Sequence, residues 1–389
     1  MKTSLSYYDH SIILILLLSI GLGPIVHFFS PVQFFTVSLF IVFIPFLVLF
    51  VLFIKNLAKF INLQFFLVIS FMFFSIIFLR YLSYNEKIMR LIIDNIYVLY
   101  IPMALMMFKN FDFTSNRSNA FLLIIKLFLI IYSLNSLFYI FGLPNINVLS
   151  DDSIIGSRFK GILGGSNVTA NFIAILFVFL ISQNNKLSML QVIFFGSLAF
   201  FGVLPTLSKG AIFIVSLATV YGTFRQFKRK KLYTSFLITI FVIFLYNSSL
   251  GRAITFLISF NERATGEDLS SGRLERIEFA YKLFSQEFQN ILIGIPSINQ
   301  TSYNDATLSI SDNSLLLISA NFGIPFLILF FLFIRIEMRN REKISMNLKF
   351  FISITIFVLL INNAVLYFQF CVFAIAGYYF IKSKPLEMK

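Results

Sequence analysis

From Ser11 almost to its end, the chain is a succession of apolar runs of about 20 residues, divided by short polar breaks. A helix of that length crosses a hydrocarbon core of about 30 Å. Only 12% of the residues are charged and 58% are hydrophobic, whereas a soluble domain carries about 25% charged residues. No water-soluble fold hides that much Phe, Leu and Ile, so lipid is the solvent for most of the chain. In lipid every backbone polar group must be satisfied internally, which makes the helix the default spanning element. The expected fold is an all-α polytopic membrane protein of about twelve transmembrane helices (ten to twelve). It forms a single integral membrane domain over residues 1–389. The spans fall at 11–29, 33–54, 63–79, 91–108, 120–143, 168–181, 190–204, 208–224, 232–246, 315–334, 350–361 and 364–381. The first run is read as a helix and not a cleaved signal, because no small-residue cleavage site is evident and a second span follows at once.

Charge placement orients these spans. Cytoplasmic loops are enriched in Lys and Arg. With the N-terminus inside, 19 of the 31 Lys and Arg fall on the cytoplasmic side and 11 outside, with Lys126 in a span. The short loops decide orientation, and the run Arg225, Lys228, Arg229, Lys230, Lys231 is the strongest. Both termini are therefore expected in the cytoplasm. The net charge of +14 is spread through these loops as a topology signal, which argues against nucleic acid as a partner. Cys371 is alone, so no disulfide forms within the chain, and two His exclude a multi-His metal site. The 54 Phe are read as a composition bias; with no Trp, the 16 Tyr supply any aromatic belt.

Polar mass gathers outside. The loop 247–313 holds 8 of the 17 acidic residues. Within it Leu274, Ile277, Tyr281, Phe284 and Phe288 recur at helical spacing, giving an amphipathic helix over 273–288 that ends before Gly294 and Pro296. Arg273 and Arg276 share one face of it, while Glu278 and Lys282 have the spacing of a surface ion pair. Guanidinium pairs hold phosphate oxygens; a helix lying on lipid head groups is the competing reading. A second external loop, 144–167, reads PNINVLSDDSIIGSRFKGILGGSN. Its Arg158 and Lys160 precede a glycine cluster, either an anion cradle or a plain surface turn. Lys209, in TLSKGAIF, sits at the outer end of the eighth span, where it binds an anion or snorkels to the interface. Asp312 and Asn313 stand just before the tenth span. Asp312 is either a helix N-cap, with Ser314 as another candidate, or a carboxylate poised to accept a proton. Asp94 and Lys126 are ionisable groups within spans, functional candidates by default.

The order of these features resembles a known family. The run from Gly161 through Asn167 and Asn171, then TLSKGA, then SSGRLERIEFAYKLFSQEFQNILIGI, then SDNSLLLISANFGIPFLILF is similar to the O-antigen polymerase and ligase superfamily of bacterial inner-membrane glycosyltransferases. The resemblance covers about 155 to 335. Lys209 stands where the family usually has Arg, Asp312 where the ligases have His, and NILIGI only loosely matches a Gly-rich stretch. The resemblance implies a substrate on polyprenyl diphosphate, transferred at the outer leaflet of the plasma membrane with no cofactor. It implies Arg273 and Asp312 as catalytic residues and Lys209, Arg276, Arg158 and Lys160 as diphosphate-binding cations. It further implies a chain-length regulator and a flippase of the same pathway as partners, besides membrane lipid. Repeat-unit polymerase is the leading expectation; a ligase of the same superfamily, or an oligosaccharide flippase, is the alternative.

Overall fold

A computed structural model describes residues 5–28, 44–60, 62–113, 115–144, 161, 163, 166–183, 187–206, 208–226, 273–297, 313–338, 344–361 and 368–383. Among these residues the regular structure is helical throughout, with no strand. In chain order the helices are α1 (Tyr7–Phe28), α2 (Ile44–Lys55), α3 (Leu63–Tyr84), α4 (Ile88–Asp94), α5 (Tyr97–Lys109), α6 (Ser115–Ile140) and α7 (Ser166–Ser182). They continue with α8 (Met189–Val203), α9 (Lys209–Gln226), α10 (Arg273–Gln286), α11 (Phe288–Ile293), α12 (Ser314–Met338), α13 (Met346–Ile361) and α14 (Phe368–Ser383). The expected span at 232–246 lies outside the described residues, as do 247–272 and 298–312 of the long loop and most of the loop 144–167.

Among the described residues, four helical stretches are long and apolar enough to cross a membrane: Leu63–Tyr84, Asn116–Ile140, Met189–Thr206 and Ser314–Met338. The pair α4 and α5, bent by 41°, makes a fifth if taken as one span. Shorter apolar helices fill most of the other expected positions. The protein is therefore a multi-pass, membrane-embedded helical protein.

The described chain divides into two compact units. The first comprises residues 1–118, 272–345 and 355–383. Here α3 and α12 run antiparallel, because Asn62 meets Glu337 at one end and Arg80 meets Asn321 at the other. Phenylalanine knits them together. Phe322, Phe326 and Phe330 follow one another along α12 at helical spacing, with ring centroids 4.7 and 6.1 Å apart. Phe73 of α3 meets Phe322 at 5.5 Å, and Phe65 stacks on Phe333 at 5.7 Å. Between helices in lipid there is no hydrophobic gradient, so close ring packing supplies the attraction instead. The Phe bias thus has a structural use that its count did not disclose. At the end of α12 away from Arg80, Lys109 Nζ lies 2.8 Å from the buried Glu337 carboxylate, and Tyr378 donates to the Met338 carbonyl at 2.6 Å.

The second unit comprises residues 119–271, 346–354 and 384–389. Small residues let its helices approach. A Cβ at Gly202 would meet Ser133 Oγ at 2.6 Å, and one at Gly196 would meet Thr219 Oγ1 at 3.1 Å. Arg225, in the last turn of α9, donates to the Ile181 and Gln183 carbonyls at 2.9 and 2.7 Å. A cation there satisfies orphan carbonyls at the end of α7 and suits its dipole. Tyr221 stacks on Phe350 at 4.0 Å and donates to Asn347 Oδ1 at 2.8 Å.

Two expected spans prove to be broken. The span expected at 91–108 is interrupted at Asn95, which separates α4 from α5. Asp94 consequently ends a short helix, 59% exposed and 3.5 Å from Arg90, an i,i+4 surface pair and not a buried carboxylate. The span expected at 315–334 breaks at Gly323, whose φ of 79° and ψ of 170° leave the helix. Pro325, lacking an N–H, fits the first turn of the half-helix that follows.

Candidate functional site at one end of the first unit

The break in α12 leaves carbonyls at the end of its first half without intrahelical partners. Arg80, about one turn before the end of α3, supplies donors to two of them. Its Nη1 donates to the carbonyls of Ala320 at 3.1 Å and Asn321 at 2.8 Å. Its Nη2 donates to the Ile295 carbonyl at 2.9 Å and lies 3.4 Å from Ser297 Oγ. The guanidinium is 1% exposed and is balanced by Glu86 in a two-pronged pair, Nε to Oε2 at 2.8 Å and Nη2 to Oε1 at 3.0 Å. A buried charge is tolerated only when so paired and hydrogen-bonded. The helix end that carries Arg80 is closed by Asn85 at φ 54°, whose N–H reaches the Tyr81 carbonyl at 3.0 Å. That turn brings Glu86 back onto Arg80.

Glu86 also accepts the backbone N–H of Ser297 at 2.5 Å. Burial pushes its carboxyl pKa up. The Arg80 hydrogen bonds and charge, with the Ser297 N–H, outweigh this and hold it below the ordinary glutamate value.

The segment Arg80 grips is the exit of the helical hairpin formed by α10 and α11. The expected amphipathic helix over 273–288 forms, but as two pieces. Glu287 adopts extended angles (φ −140°, ψ 134°) and separates α10 from α11. The Asn290 amide donates to the Leu283 carbonyl at 2.8 Å and so braces one piece against the other, while Tyr84 Oη lies 3.2 Å from its Oδ1. Gly294 then ends α11 at φ 91°, ψ 173°, as the Gly and Pro punctuation foretold. This region of backbone space is essentially open to glycine alone.

α11 and the break in α12 fit each other through two glycines. A Cβ on Gly294 would collide with the Ala320 carbonyl oxygen and would lie 2.8 Å from Arg80 Nη1. A Cβ on Gly323 would collide with the Leu292 carbonyl oxygen and would lie 2.6 Å from the Ile291 oxygen. Each glycine thus receives the other segment's backbone. The Ile295 N–H closes the contact on the Ala320 carbonyl at 2.7 Å. Nearby, the Asn321 amide donates to Asn95 Oδ1 at 2.6 Å, so the break between α4 and α5 faces the break in α12.

One face of α10 is occupied as well, but it is not the expected apolar stripe, of which Ile277 and Tyr281 stay exposed, as does Phe288 at the start of α11. Ala280 and Leu283 are buried in one cluster with Ile295 and Ala320, and Phe279, Phe284 and Leu316 pack against it. The helix therefore docks on the first half of α12 through Ala280 and Leu283. The expected Glu278–Lys282 pair is not formed; among the described residues these two side chains make no ion pair, and exposed pairs of this kind contribute little.

The sequence-derived candidates fall around this structure. Arg273 and Arg276 lie in the first turn of α10, three residues apart on one helical face; their side chains lie outside the description. Asp312 lies outside the described residues, but the residue after it settles who caps α12. Asn313 Oδ1 accepts the N–H groups of Leu315 at 2.8 Å and Leu316 at 3.2 Å, so neither Asp312 nor Ser314 holds that role. The Asn313 amide also donates to the Leu360 carbonyl. Lys209 is the first residue of α9, in the second unit, and its side chain is not described. Arg158 and Lys160 lie outside the described residues, while Gly161 beside them has φ 66°.

No protein-family model, no curated protein and no solved structure matches this chain.

Function must then be argued from the site itself. Among the described residues no three His, Cys, Asp or Glu side chains gather as a metal would require. The Arg80 guanidinium spends its five N–H donors on Glu86 and on backbone and hydroxyl oxygens, so it has none to offer a ligand. Arg80 stands just past the third expected span, 63–79, and is given no role there. Two signals pointed further. One is RYLSYNE, a cation at a span end with an acid six residues on. The other is the tripeptide Gly-Ile-Pro, present at both Gly294 and Gly323.

Proposed function

We propose that this chain is a polymerase of lipid-linked oligosaccharide repeat units, acting at the outer face of a bacterial inner membrane. In this reading it crosses about twelve times, with both termini cytoplasmic and the loops 144–167 and 247–313 outside. The growing glycan moves from polyprenyl diphosphate to a sugar hydroxyl of an incoming lipid-linked repeat unit. A bond forms between the acceptor oxygen and the anomeric carbon as the bond from that carbon to the diphosphate oxygen breaks. The diphosphate keeps the electron pair, and the hydroxyl proton passes to Asp312. Arg273 and Arg276, with Lys209, Arg158 and Lys160, neutralise the charge that grows on the leaving group. Product and partners follow: an O-antigen, capsule or other exopolysaccharide, made beside a flippase and a chain-length regulator.

One observation carries the reading. The helix that opens with Arg273 and Arg276 is docked on the first half of α12, whose N-cap, Asn313, directly follows Asp312. Cations and a carboxylate carried by neighbouring stretches of chain are what a transfer from diphosphate needs.

The test is a gel of surface glycan from a deletion strain complemented with wild type, Arg273→Ala or Asp312→Asn at matched membrane levels. Collapse of the ladder to single repeat units on deletion, restored by wild type and not by Arg273→Ala, is the expected result. Full-length chains in the deletion strain would remove the polymerase reading; long chains left on the carrier lipid would point to a ligase.

The broken helix α12 and the bent α4–α5 pair favour a second reading, a flippase, since transporters build sites from interrupted helices. Against it, the carbonyls at the break in α12 are already taken by Arg80 and Ile295. Vesicle assays that detect translocation without new glycosidic bonds would favour this second reading.

A further inference from the structure

We propose that Arg80, held by Glu86, is a positioning residue for the transfer: it fixes the external helix α10, and with it Arg273 and Arg276, against the start of α12. The proposal rests on the polymerase reading above and adds to it a residue pair far along the chain from any of its catalytic candidates.

Arg80 belongs to α3, yet its donors end on two other segments, Ala320 and Asn321 of α12 and Ile295 after α11. Glu86 adds a second grip on the same exit strand through the Ser297 N–H. Residues 295–297 are thus held by their carbonyl from Arg80 and by their N–H from Glu86. From there the restraint passes back along the chain. Gly294 and Gly323 lock α11 to the break in α12, and Asn290 locks α11 to α10 through the Leu283 carbonyl. The cluster of Ala280, Leu283, Ile295 and Ala320 closes the loop. A shift of about 1 Å at a reacting centre is enough to lose rate about a hundredfold.

Two features separate positioning from substrate contact. The guanidinium is 1% exposed and its donors are spent within the protein. The contacts with α12 and with the hairpin exit are made to backbone carbonyls, which side-chain changes elsewhere cannot supply. Lysine keeps the charge but brings a point charge with three donors and no planar fork, so it cannot hold three segments together in this geometry.

The experiment uses the full-length protein in nanodiscs, with lipid-linked repeat unit as substrate and wild type beside Arg80→Lys and Glu86→Gln. For Arg80→Lys, kcat is expected to fall at least about tenfold while KM stays within about twofold, the pattern of an interaction realised only in the transition state. Amide exchange over 273–297 is expected to quicken at least about tenfold, with 97–109 and 189–203 unchanged, because local opening follows local contacts. Glu86→Gln should move both quantities the same way by less. Unchanged exchange over 273–297 would overturn the clamp. A rise in KM at constant kcat would mean that Arg80 touches substrate, and faster exchange throughout the chain would reduce it to a structural role. If the wild-type protein makes no polymer, the polymerase reading fails and takes the role in transfer with it, while the exchange data still decide the clamp.

Discussion

Replacing Gly294 by alanine tests the interlock of α11 with the break in α12 directly. Two costs add. An L-residue held in this region of backbone space carries about 1–3 kcal/mol of strain. The new methyl group must also displace the Ala320 carbonyl and Arg80 Nη1, atoms fixed by their own hydrogen bonds. Overpacking of this kind costs about 1–3 kcal/mol more. The expected loss is therefore about 2–6 kcal/mol. Gly142 provides the control: it has φ 66° but nothing within 4 Å of its Cβ position. There only the left-handed backbone matters, about 1–2 kcal/mol. Reversible unfolding in SDS and detergent mixed micelles measures both. Because Gly323 receives the same neighbour from the other side, Gly323→Ala should cost as much as Gly294→Ala. The double variant should cost clearly less than the sum, since either change alone already breaks the contact. If Gly294→Ala is no worse than Gly142→Ala, or if the two interlock glycines behave additively, the reciprocal contact is not what holds the hairpin.

Other expectations follow from the ion pairs. Glu86 has a folded pKa below its ordinary 4.5, so its stabilising contribution is complete above that value and is lost as pH falls through the lowered folded value. Amide exchange over 288–297 should therefore quicken in wild type as pH falls below the ordinary glutamate value, and Glu86→Gln should remove that dependence. At the other end of α12, Lys109→Ala leaves Glu337, 1% exposed, without its cation. A loss of about 3 kcal/mol is expected. Adding Glu337→Gln should recover most of it, because Asn62 can still donate to the amide oxygen; a double variant no better than Lys109→Ala would refute the pairing.

Lipid chemistry makes the overall class readable from the chain alone. Runs of about 20 apolar residues admit only helices in a bilayer, and helices stand at nearly every described position where such a run was expected. The helix over 273–288 was legible in part: Gly294 and Pro296 mark its end, but the stripe read as apolar leaves Ile277, Tyr281 and Phe288 exposed, and Ala280 and Leu283 are what docks. The breaks at Asn95 and Gly323 were not. A run of apolar residues fixes hydrophobic length but says nothing of the partner that takes over carbonyls where a helix opens, and here that partner, Arg80, is some 240 residues away in sequence from Ala320. The N-cap of α12 was missed for a similar reason: Asp312 and Ser314 were the expected candidates, yet Asn313 is an equally competent cap, and only the backbone geometry selects it. Local periodicity and transfer free energy act between near neighbours, so sequence determined that this is a helical membrane protein with a further helix near 273–288. Which arginine is buried, which glycines interlock and which helices break depend on contacts between distant segments, and these only the tertiary structure decided.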